Sequence, residues 1–405
     1  MPQINSFRKS FWRGNFFLAW VSVLVLAGCG SDETRVPVAP ALAPEPGGFV
    51  RVTPTAAEID GRTVQPTCSG VAGTDRSFHF WARRGSVNRL VIFFEGGGAC
   101  WDGATCSLPW TRNTGANDNA LFKAEILPID NPTLKNGIFN LRDPRNPVRD
   151  WSFVYIPYCT GDVHAGSNTA SYTNPFTRQN FAIEHRGHDN FRVVLRWIED
   201  NFAGPEHILV TGSSAGGYGA IINYPWIRRA FPYSQAIMLA DAAQGVVTAE
   251  FDALRNANWN IQLAPFVYGS SPQATATGDI LPRLASTYPQ DRFAQYTTSL
   301  DTVQMLFYDV MLHGLAGQQG TACQAWIDRM LAGLRRNQQA VNFVSYLAAG
   351  TSHTILGSGG ETPLFFSEQS AGVPFHQWFT NLLSPAGVRS VACTDCTTFP
   401  GTCPF

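Results

Sequence analysis

The chain has 405 residues, of which 44% are hydrophobic and 15% are charged. This composition excludes a disordered, collagen-like or coiled-coil protein, and it is sufficient to fill a large core. The 29 basic and 30 acidic residues give a formal net charge of −1. A nearly neutral chain without a basic block binds nucleic acid poorly, so we expect no nucleic-acid partner.

The first residues have the pattern of an export signal. Basic residues precede the apolar run Phe16 to Leu26, which is too short for a stable membrane span. The small residues before Cys29 resemble a bacterial lipoprotein cleavage site. We predict that residues 1–28 are removed and that Cys29 is lipidated, with ordinary secretion as the alternative. The protein is then exported and contacts a membrane, on its periplasmic or cell-surface side, only through this anchor.

The remaining cysteines are even in number, which is typical of disulfides in an exported chain. They are Cys68, Cys100, Cys106, Cys159, Cys323, Cys393, Cys396 and Cys403. The CxxC pair at Cys393 and Cys396 would also suit zinc, but a second CxxC or a histidine pair at ligand spacing is missing, so we predict no metal. The pairing of the last four cysteines stays open, because four cysteines allow three connectivities.

The rest of the chain predicts an extended tether followed by one domain. Residues 29–48 are rich in proline and alanine, as a tether would be, and residues 49–405 form the domain. Apolar runs of strand length are Leu90 to Phe94, Phe153 to Pro157, Ile208 to Thr211, Ala236 to Leu239, Phe343 to Leu347 and, more weakly, Phe293 to Thr298. Helices are predicted around Phe191 to Ile198, Ala215 to Arg229 and Ala322 to Arg335.

This alternation predicts an α/β protein with a mostly parallel central sheet and helices on both faces. Residues 255–290 are polar and rich in Asn, Ser, Pro, Gly and Thr. They form either a long excursion or a cap over the carboxyl edge of the sheet, where α/β proteins keep their sites.

The strongest motif is G-x-S-x-G, formed by Gly212, Ser214 and Gly216. It follows an apolar strand and precedes a helix, which is the context that a nucleophile elbow requires. The serine takes a strained backbone conformation there, and side chains two residues away on either side would clash. We therefore predict that Ser214 is a nucleophile. The alternative is a loop in which Ser213 or Ser214 caps the helix.

The chain order of such enzymes places the acid and then the histidine after the serine. His353 follows a predicted strand by a short loop, so it is the predicted base. His313 has the setting of a helix end and His376 that of an aromatic-flanked surface or packing residue. Asp301 is the preferred acid because it follows the strand just before the histidine strand.

Asp241 is the alternative acid. It follows the strand beside the elbow, where we expect it to line the pocket or hold a loop.

A strand runs into Glu95 and three consecutive glycines. In this setting the loop after the strand supplies backbone N–H groups, and Ala215, the residue after the nucleophile, supplies another, so that together they would stabilise an oxyanion. A phosphate-binding loop would need a Walker lysine or GxGxxG, and the sequence has neither. We expect Glu95 to be a buried support of the glycine loop and His164 to be a surface loop residue.

Several short stretches taken together resemble the pectin acetylesterase family. They are Glu95-Gly-Gly-Gly with Cys100 and Cys106, Tyr158-Cys159, His185-Arg-Gly187, Gly212-Ser-Ser-Ala-Gly-Gly217, Ala240-Asp241-Ala242 and Ser352-His353. The resemblance implies an α/β-hydrolase-like fold without metal or cofactor, and Ser214, His353 and Asp301 as nucleophile, base and acid. It also implies that Gly97, Gly98 and Ala215 are the oxyanion donors, and that Cys68 pairs with Cys159 and Cys100 with Cys106.

The resulting hypothesis is a monomeric, exported serine esterase that removes O-acetyl groups from a polysaccharide through an acyl-enzyme. Two alternatives remain. One is a lipid deacylase that acts on longer acyl chains. The other is a non-catalytic surface lipoprotein that binds glycans in the cleft, where Trp101, Trp110 and Tyr218 would stack on sugars.

Overall fold

The computed structural model describes residues 37–113, 120–315, 322–357, 364–393 and 396. The predicted signal segment, the lipidation site Cys29 and the last cysteine, Cys403, lie outside the described residues. Within the described ranges, no helix combines the length and the hydropathy needed to cross a membrane.

The strands alternate with helices along most of the chain. The strands are β1 Val50–Val52, β2 Ala57–Ile59, β3 Arg62–Val64, β4 Phe80–Arg83, β5 Arg89–Phe94, β6 Pro109–Trp110, β7 Phe122–Lys123, β8 Ser152–Ile156, β9 Asn168–Thr173, β10 Asn180–His185, β11 His207–Ser213, β12 Gln235–Asp241, β13 Arg292–Thr298, β14 Phe343–Ala348, β15 Gln369–Ser370 and β16 Val373–Pro374. The helices are α1 Gly187–Asn201, α2 Ala215–Ala230, α3 Ala249–Leu254, α4 Pro265–Tyr268, α5 Thr277–Thr287, α6 Thr302–His313, α7 Cys323–Asn337, α8 Leu364–Ser367 and α9 Phe375–Leu382.

In the part of the chain that the structure describes, the main sheet has eight strands in the order β1-β4-β8-β5-β11-β12-β13-β14. The strands from β8 to β14 in this order run parallel, and β1 and β4 are antiparallel at one edge. Strands such as β5 and β8 are buried almost throughout, which is expected when both faces of a parallel sheet are covered. The α/β class and the mostly parallel sheet are therefore confirmed.

The order of the strands reverses at β5, and this determines where a site can form. From β5 the chain continues to β8 on one side and then returns to β11 on the other side. Ligands of open α/β sheets bind at the carboxyl ends of the strands beside such a switch point. The loops after β5, β11, β12, β13 and β14 therefore meet along one edge of the sheet.

The predicted strands and helices are confirmed with small shifts of their ends. The six predicted strands correspond to β5, β8, β11, β12, β13 and β14, and the predicted helices to α1, α2 and α7. His313 ends α6, as its sequence setting predicted. The segment 255–290 is not structureless, because it contains a π-helical turn at Arg255–Trp259 followed by α4 and α5.

The folded part begins before residue 49, so the predicted tether of residues 29–48 is wrong in its described portion. Val38 and Ala39 are buried in the main core. Trp197 of α1 donates its indole N–H to the carbonyl of Pro40 at 2.9 Å, and the N–H of Leu42 donates to Asn201 Oδ1 at 2.7 Å. Apolar residues between the prolines thus find a surface on α1 to pack against.

The disulfides confirm the two pairings that the family resemblance implied. Cys68 is bonded to Cys159, and Cys100 is bonded to Cys106. The first bridge joins the segment before β4 to the loop after β8, and the second closes a loop of six residues after the glycines.

The cysteines near the end of the chain are oxidised too. Cys393 is bonded to Cys396, so the zinc alternative for this CxxC pair is wrong. Cys323 is also disulfide-bonded. In the described ranges, Cys100, Cys106 and His185 come close enough together to suggest a metal site, but the two sulfurs are bonded to each other.

Candidate active site

The turn between β11 and α2 forces Ser214 into an unusual backbone conformation. Its φ is 58° and its ψ is −124°, a region that non-glycine residues rarely adopt. A Cβ added at Gly216 would lie 1.9 Å from the carbonyl oxygen of Phe94, and one added at Gly212 would lie 2.3 Å from the carbonyl oxygen of Gly216. Both glycines are therefore required for the close packing of this turn.

The alternative role of these serines as helix caps does not fit the contacts. Ser214 stands at the cap position of α2, but its side chain makes no capping hydrogen bond. The Ser213 hydroxyl donates instead to Asp241 Oδ2 at 2.7 Å. Ser214 thus stands at the N-terminus of α2, where the helix dipole favours negative charge developing on the oxygen.

His353 and Asp301 are joined directly. Asp301 caps α6 just after β13, and both of its carboxylate oxygens lie 2.9 Å from Nδ1 of His353. Gln304 holds the same carboxylate from the other side, through its backbone N–H and its side-chain amide, each at 2.9 Å. Asp301 is fully buried, so its orientation is determined by these partners.

The other nitrogen of the imidazole has no hydrogen bond to the part of the chain that the structure describes. Nε2 of His353 is enclosed and has no partner among the described residues. Because Nδ1 donates its proton to Asp301, Nε2 is left as the basic nitrogen. Burial alone would lower the pKa of His353, but the charge of Asp301 and its hydrogen bond outweigh that effect, and the pKa is raised above its ordinary value.

Asp241, the alternative acid, has different partners. Its carboxylate accepts hydrogen bonds from Ser213, from the N–H of Ile355 at 3.0 Å and from the N–H of Leu356 at 2.9 Å. It makes no hydrogen bond with His353 among these contacts. Burial raises its pKa to about 6. Asp241 therefore joins the residue before the elbow serine to the loop that follows the histidine.

The glycine loop packs directly on the elbow. A Cβ added at Gly96 would lie 2.5 Å from the carbonyl oxygen of Ser213, and one added at Gly98, whose φ is 74°, would lie 1.9 Å from the carbonyl oxygen of Leu121. Among the described residues, no acceptor is bonded to the backbone N–H groups of Gly97, Gly98 or Ala215. These donors are therefore available to an oxygen atom beside Ser214.

A buried cluster of charges supports the glycine loop, and only one of its members, Glu95, was predicted from the sequence. Glu95 accepts from Lys123 Nζ at 2.5 Å, from Lys135 Nζ at 3.1 Å and from the N–H of Tyr158 at 3.1 Å, as expected of a buried support. Lys123 also contacts Asp130 at 2.7 Å. The scarcity of lysine was the available signal, since Lys123 and Lys135 are two of only three in the chain.

Burial and mutual charge shift the carboxyl groups of this cluster in opposite directions. Burial would raise the pKa of Glu95, but the charges of Lys123 and Lys135 outweigh it, and the pKa lies well below its usual range. Burial, followed by the charge of Glu95, raises the pKa of Asp130 to about 7.

His164 is buried, so its prediction as a surface residue is wrong. Its Nε2 lies 2.8 Å from the carbonyl oxygen of Glu95, and its ring packs against Phe94 and Tyr158. A Cβ at Gly219 of α2 would lie 2.8 Å from the ring, so a glycine makes the space for it. Burial lowers the pKa of His164 to about 4, so the ring is a neutral support of the loop.

Ser214, Ala215, Gly98 and His353 line one cavity. Its volume is about 70 Å³. Its walls are mainly apolar, and the apolar side chains are Ala99, Val163, Ile222, Ala242, Val246, Val247, Phe251, Trp259, Ile261, Val303, Phe307, Met311 and Trp326. The polar exceptions besides the site residues are Tyr218, Arg255, Thr277 and Gln304.

The segment 255–290 contributes Arg255, Trp259, Ile261 and Thr277 to this wall, which is what a cap over the site would do. Of the aromatic residues proposed for sugar stacking, Trp101 is buried, Tyr218 lines the cavity and Trp110 lines a second, more open cleft. That cleft also reaches Ser214 and His353.

A serine on a strained strand-to-helix turn, at the carboxyl edge of a mostly parallel sheet, is the hallmark of the α/β-hydrolase class. Within that class, the chain belongs to the pectinacetylesterase family, whose model matches residues 62–265.

Curated relatives match a shorter part of their own length. Human palmitoleoyl-protein carboxylesterase NOTUM is 26% identical over 186 residues, covering 44% of this chain and 34% of that protein. Pectin acetylesterase 5 of Arabidopsis thaliana is 26% identical over 168 residues, covering 41% of this chain and 36% of that protein. The chain thus spans about a third of the length of the curated relatives it matches.

The structure of the Wnt deacylase Notum from Drosophila superposes with a TM-score of 0.55 and 18% identity. The superposition covers 84% of this chain and 96% of the Drosophila Notum chain. The fold is therefore a Notum-like α/β-hydrolase fold.

Proposed function

We propose that the protein is a serine esterase in which Ser214, His353 and Asp301 form a catalytic triad. The Ser214 oxygen attacks the ester carbonyl carbon while His353 Nε2 takes the hydroxyl proton and then passes it to the leaving alcohol. Asp301 keeps the imidazole in the required tautomer and stabilises its protonated form. Water, deprotonated by the same nitrogen, then releases the acyl group as a carboxylic acid and restores Ser214.

The N–H groups of Gly97, Gly98 and Ala215 are proposed to stabilise the oxyanion of both tetrahedral intermediates. They have no other acceptor among the described residues, and they belong to a loop that packs on the elbow. Such preorganised donors need no rearrangement when negative charge develops.

One observation carries this proposal. Nε2 of His353 is enclosed and unpaired in the same cavity that Ser214 lines, while Nδ1 is bonded to a buried carboxylate. Leaving a buried polar atom without a partner costs about 1–3 kcal/mol, and a catalytic role is one reason for a protein to keep such an atom beside a serine. Glycan binding alone would not require this arrangement.

The first candidate substrate is an O-acetylated polysaccharide, which membership of the pectinacetylesterase family supports. The second candidate is an ester of a longer acyl group, which the cavity favours. A cavity needs about 10–15 Å³ to hold one water, so a cavity of about 70 Å³ has room for several waters and for an acyl group longer than acetyl.

Export and lipidation at Cys29 are also proposed, on the sequence pattern alone. Expression of Cys29→Ala beside the parent chain tests this. We expect the parent in the membrane fraction and the variant in the soluble exported fraction. Equal partitioning of the two would contradict the anchor.

A fluorophosphonate probe tests the catalytic proposal, because it reacts only with an activated serine. We expect labelling of the parent chain and of Ser286→Ala, an exposed serine control on α5, and no labelling of Ser214→Ala. Failure of the parent to label, or labelling of Ser214→Ala, would favour a non-catalytic glycan-binding protein. Rates on aryl esters from acetate to decanoate then separate the two substrate candidates.

A further inference from the structure

Arg255 is the least expected residue of the cavity wall. It begins the π-helical turn Arg255–Trp259 that continues α3, and both end residues of this turn line the cavity. Turns of this kind are rare and are often found at functional sites. Arg255 is only 1% exposed, so its charge is enclosed by protein.

Two of the three guanidinium nitrogens have partners, one on α3 and one in the segment 255–290. Nε donates to Asp252 Oδ1 at 2.7 Å, and Nη2 donates to the carbonyl oxygen of Thr275 at 2.7 Å. Nη1 is enclosed and has no acceptor among the described residues. Buried guanidinium N–H groups normally have partners, so Nη1 has the property of a donor that a ligand completes.

The charge of Arg255 is already balanced. Asp252 pairs with it, and Thr277 holds the same carboxylate through its backbone N–H at 3.2 Å and its hydroxyl at 2.5 Å. An incoming carboxylate would have to lose its water without a second cation to pair with, which is costly. A neutral acceptor, such as a keto or hydroxyl oxygen, would satisfy Nη1 without adding charge.

We propose that the cavity receives acyl groups whose far end carries a neutral hydrogen-bond acceptor, which Arg255 recognises. The proposal rests on the serine esterase function proposed above, since the acyl group enters this cavity from Ser214. The apolar walls contact the methylene groups of the chain, and Arg255 supplies the one guanidinium or ammonium donor among the described side chains that line the cavity. Such a site favours acyl groups with the acceptor over acyl groups without it, because the latter leave Nη1 of Arg255 without a hydrogen bond.

The test compares aryl esters of equal length with and without the acceptor: pentanoate against 4-oxopentanoate, and hexanoate against 5-oxohexanoate. For the parent chain we expect kcat/KM to favour the oxo ester of at least one length by about 10- to 100-fold, the usual range for one hydrogen bond to a charged group. Aryl monoesters of glutaric acid, which end in a carboxylate, provide the anionic comparison.

Variants assign the preference to Arg255. The double variant Arg255→Met with Asp252→Asn removes the donor and its counter-charge together, and we expect it to lose the preference for oxo esters. Arg255→Lys keeps a donor and should keep part of the preference. Arg283→Met, an exposed arginine of α5, is the matched control and should behave as the parent chain. Thermal unfolding verifies that each variant is folded.

The possible results of these experiments separate the role of Arg255, the charge of the acceptor and the esterase function. An equal oxo-to-plain ratio in the parent and in the double variant overturns the proposal. A preference for the glutaric monoester overturns the neutral acceptor. Absence of fluorophosphonate labelling in the parent would reject the esterase function itself, whereas labelling without an oxo preference rejects only the role of Arg255.

Discussion

The carboxylate of Asp301 and Nδ1 of His353 lie 2.9 Å apart, although 52 residues separate them in the chain. They meet because β13 and β14 are parallel neighbours, so the loops after them share one edge of the sheet. The pair determines which nitrogen of His353 carries the proton, and its charge raises the pKa of the imidazole.

We expect Asp301→Asn to lower kcat by about 10⁴-fold, because an amide cannot hold the imidazole in the required tautomer. The base acts only when neutral, so activity of the parent falls as the pH falls through the raised pKa of His353. Without the charge of Asp301 that pKa falls, and the acidic limb of the profile moves to lower pH.

A pH profile of kcat/KM for both proteins measures this effect. Asp328→Asn, an exposed carboxylate on α7, is the control and should leave the profile in place. An unchanged acidic limb in Asp301→Asn would remove Asp301 from the triad.

We expect Asp241→Asn to lower kcat by about 10²-fold, with little change of KM. The carboxylate accepts from Ser213, Ile355 and Leu356 at once, and an asparagine amide would place a donor where an acceptor is needed. A displacement of about 1 Å between catalytic groups is enough for such a loss.

Asp241 also raises the pKa of His353 by its charge, after the larger effects of burial and Asp301. The acidic limb of Asp241→Asn should therefore move to lower pH, but less than that of Asp301→Asn. A loss of activity without any such movement would assign Asp241 a packing role only.

We expect Lys123→Met to lower the free energy of unfolding by about 3–5 kcal/mol, because it leaves Glu95 and Asp130 buried without their shared cation. Lys135→Met is the matched control and should cost less, since Lys135 is partly exposed. Denaturant unfolding measures both variants.

The pH dependence of Lys123→Met has a definite sign. Without the lysine, the buried carboxyl groups have raised pKa values, so the folded state binds protons more tightly than the unfolded state. The variant should therefore become less stable relative to the parent as the pH rises from about 5 to about 8. The opposite slope would show that the carboxylates find other partners.

We expect Gly98→Ala to lower kcat by about 10²- to 10³-fold, the usual loss for one oxyanion donor. A Cβ at this position would lie 1.9 Å from the carbonyl oxygen of Leu121, so the loop must move. Gly73→Ala is the control, because Gly73 also has a positive φ, 82°, but nothing lies within 4 Å of the added atom. Equal activity of both variants would exclude Gly98 from the site.

The parts of the fold that were predicted from the sequence are those with a local cause. Buried parallel strands such as β11 are continuous apolar runs, and the elbow at Ser214 needs glycines at fixed positions. Chain order then selected His353 and Asp301, which the structure joins by a hydrogen bond. Their catalytic roles remain predictions.

The parts that the sequence analysis missed depend on contacts between distant residues. Lys123 and Glu95 are 28 positions apart in the chain, and no local sequence pattern predicts that they form a buried ion pair. His164 is buried only because Gly219 on another element leaves space for it. Gln304 and Arg255 belong to helical turns whose orientation toward the cavity follows from tertiary packing.

Residues 38–42 pack on α1, so they are not part of a free linker, and this shortens the linker between the proposed lipid anchor and the folded domain. If Cys29 carries the lipid, only about eight residues separate it from Pro37, and a fully extended chain spans at most about 3.6 Å per residue. The attachment point of the domain would then stay within about 30 Å of the bilayer surface. The domain could then reach ester groups of nearby lipids or of envelope polymers close to the bilayer. Ester groups at a larger distance from the bilayer would have to diffuse toward it.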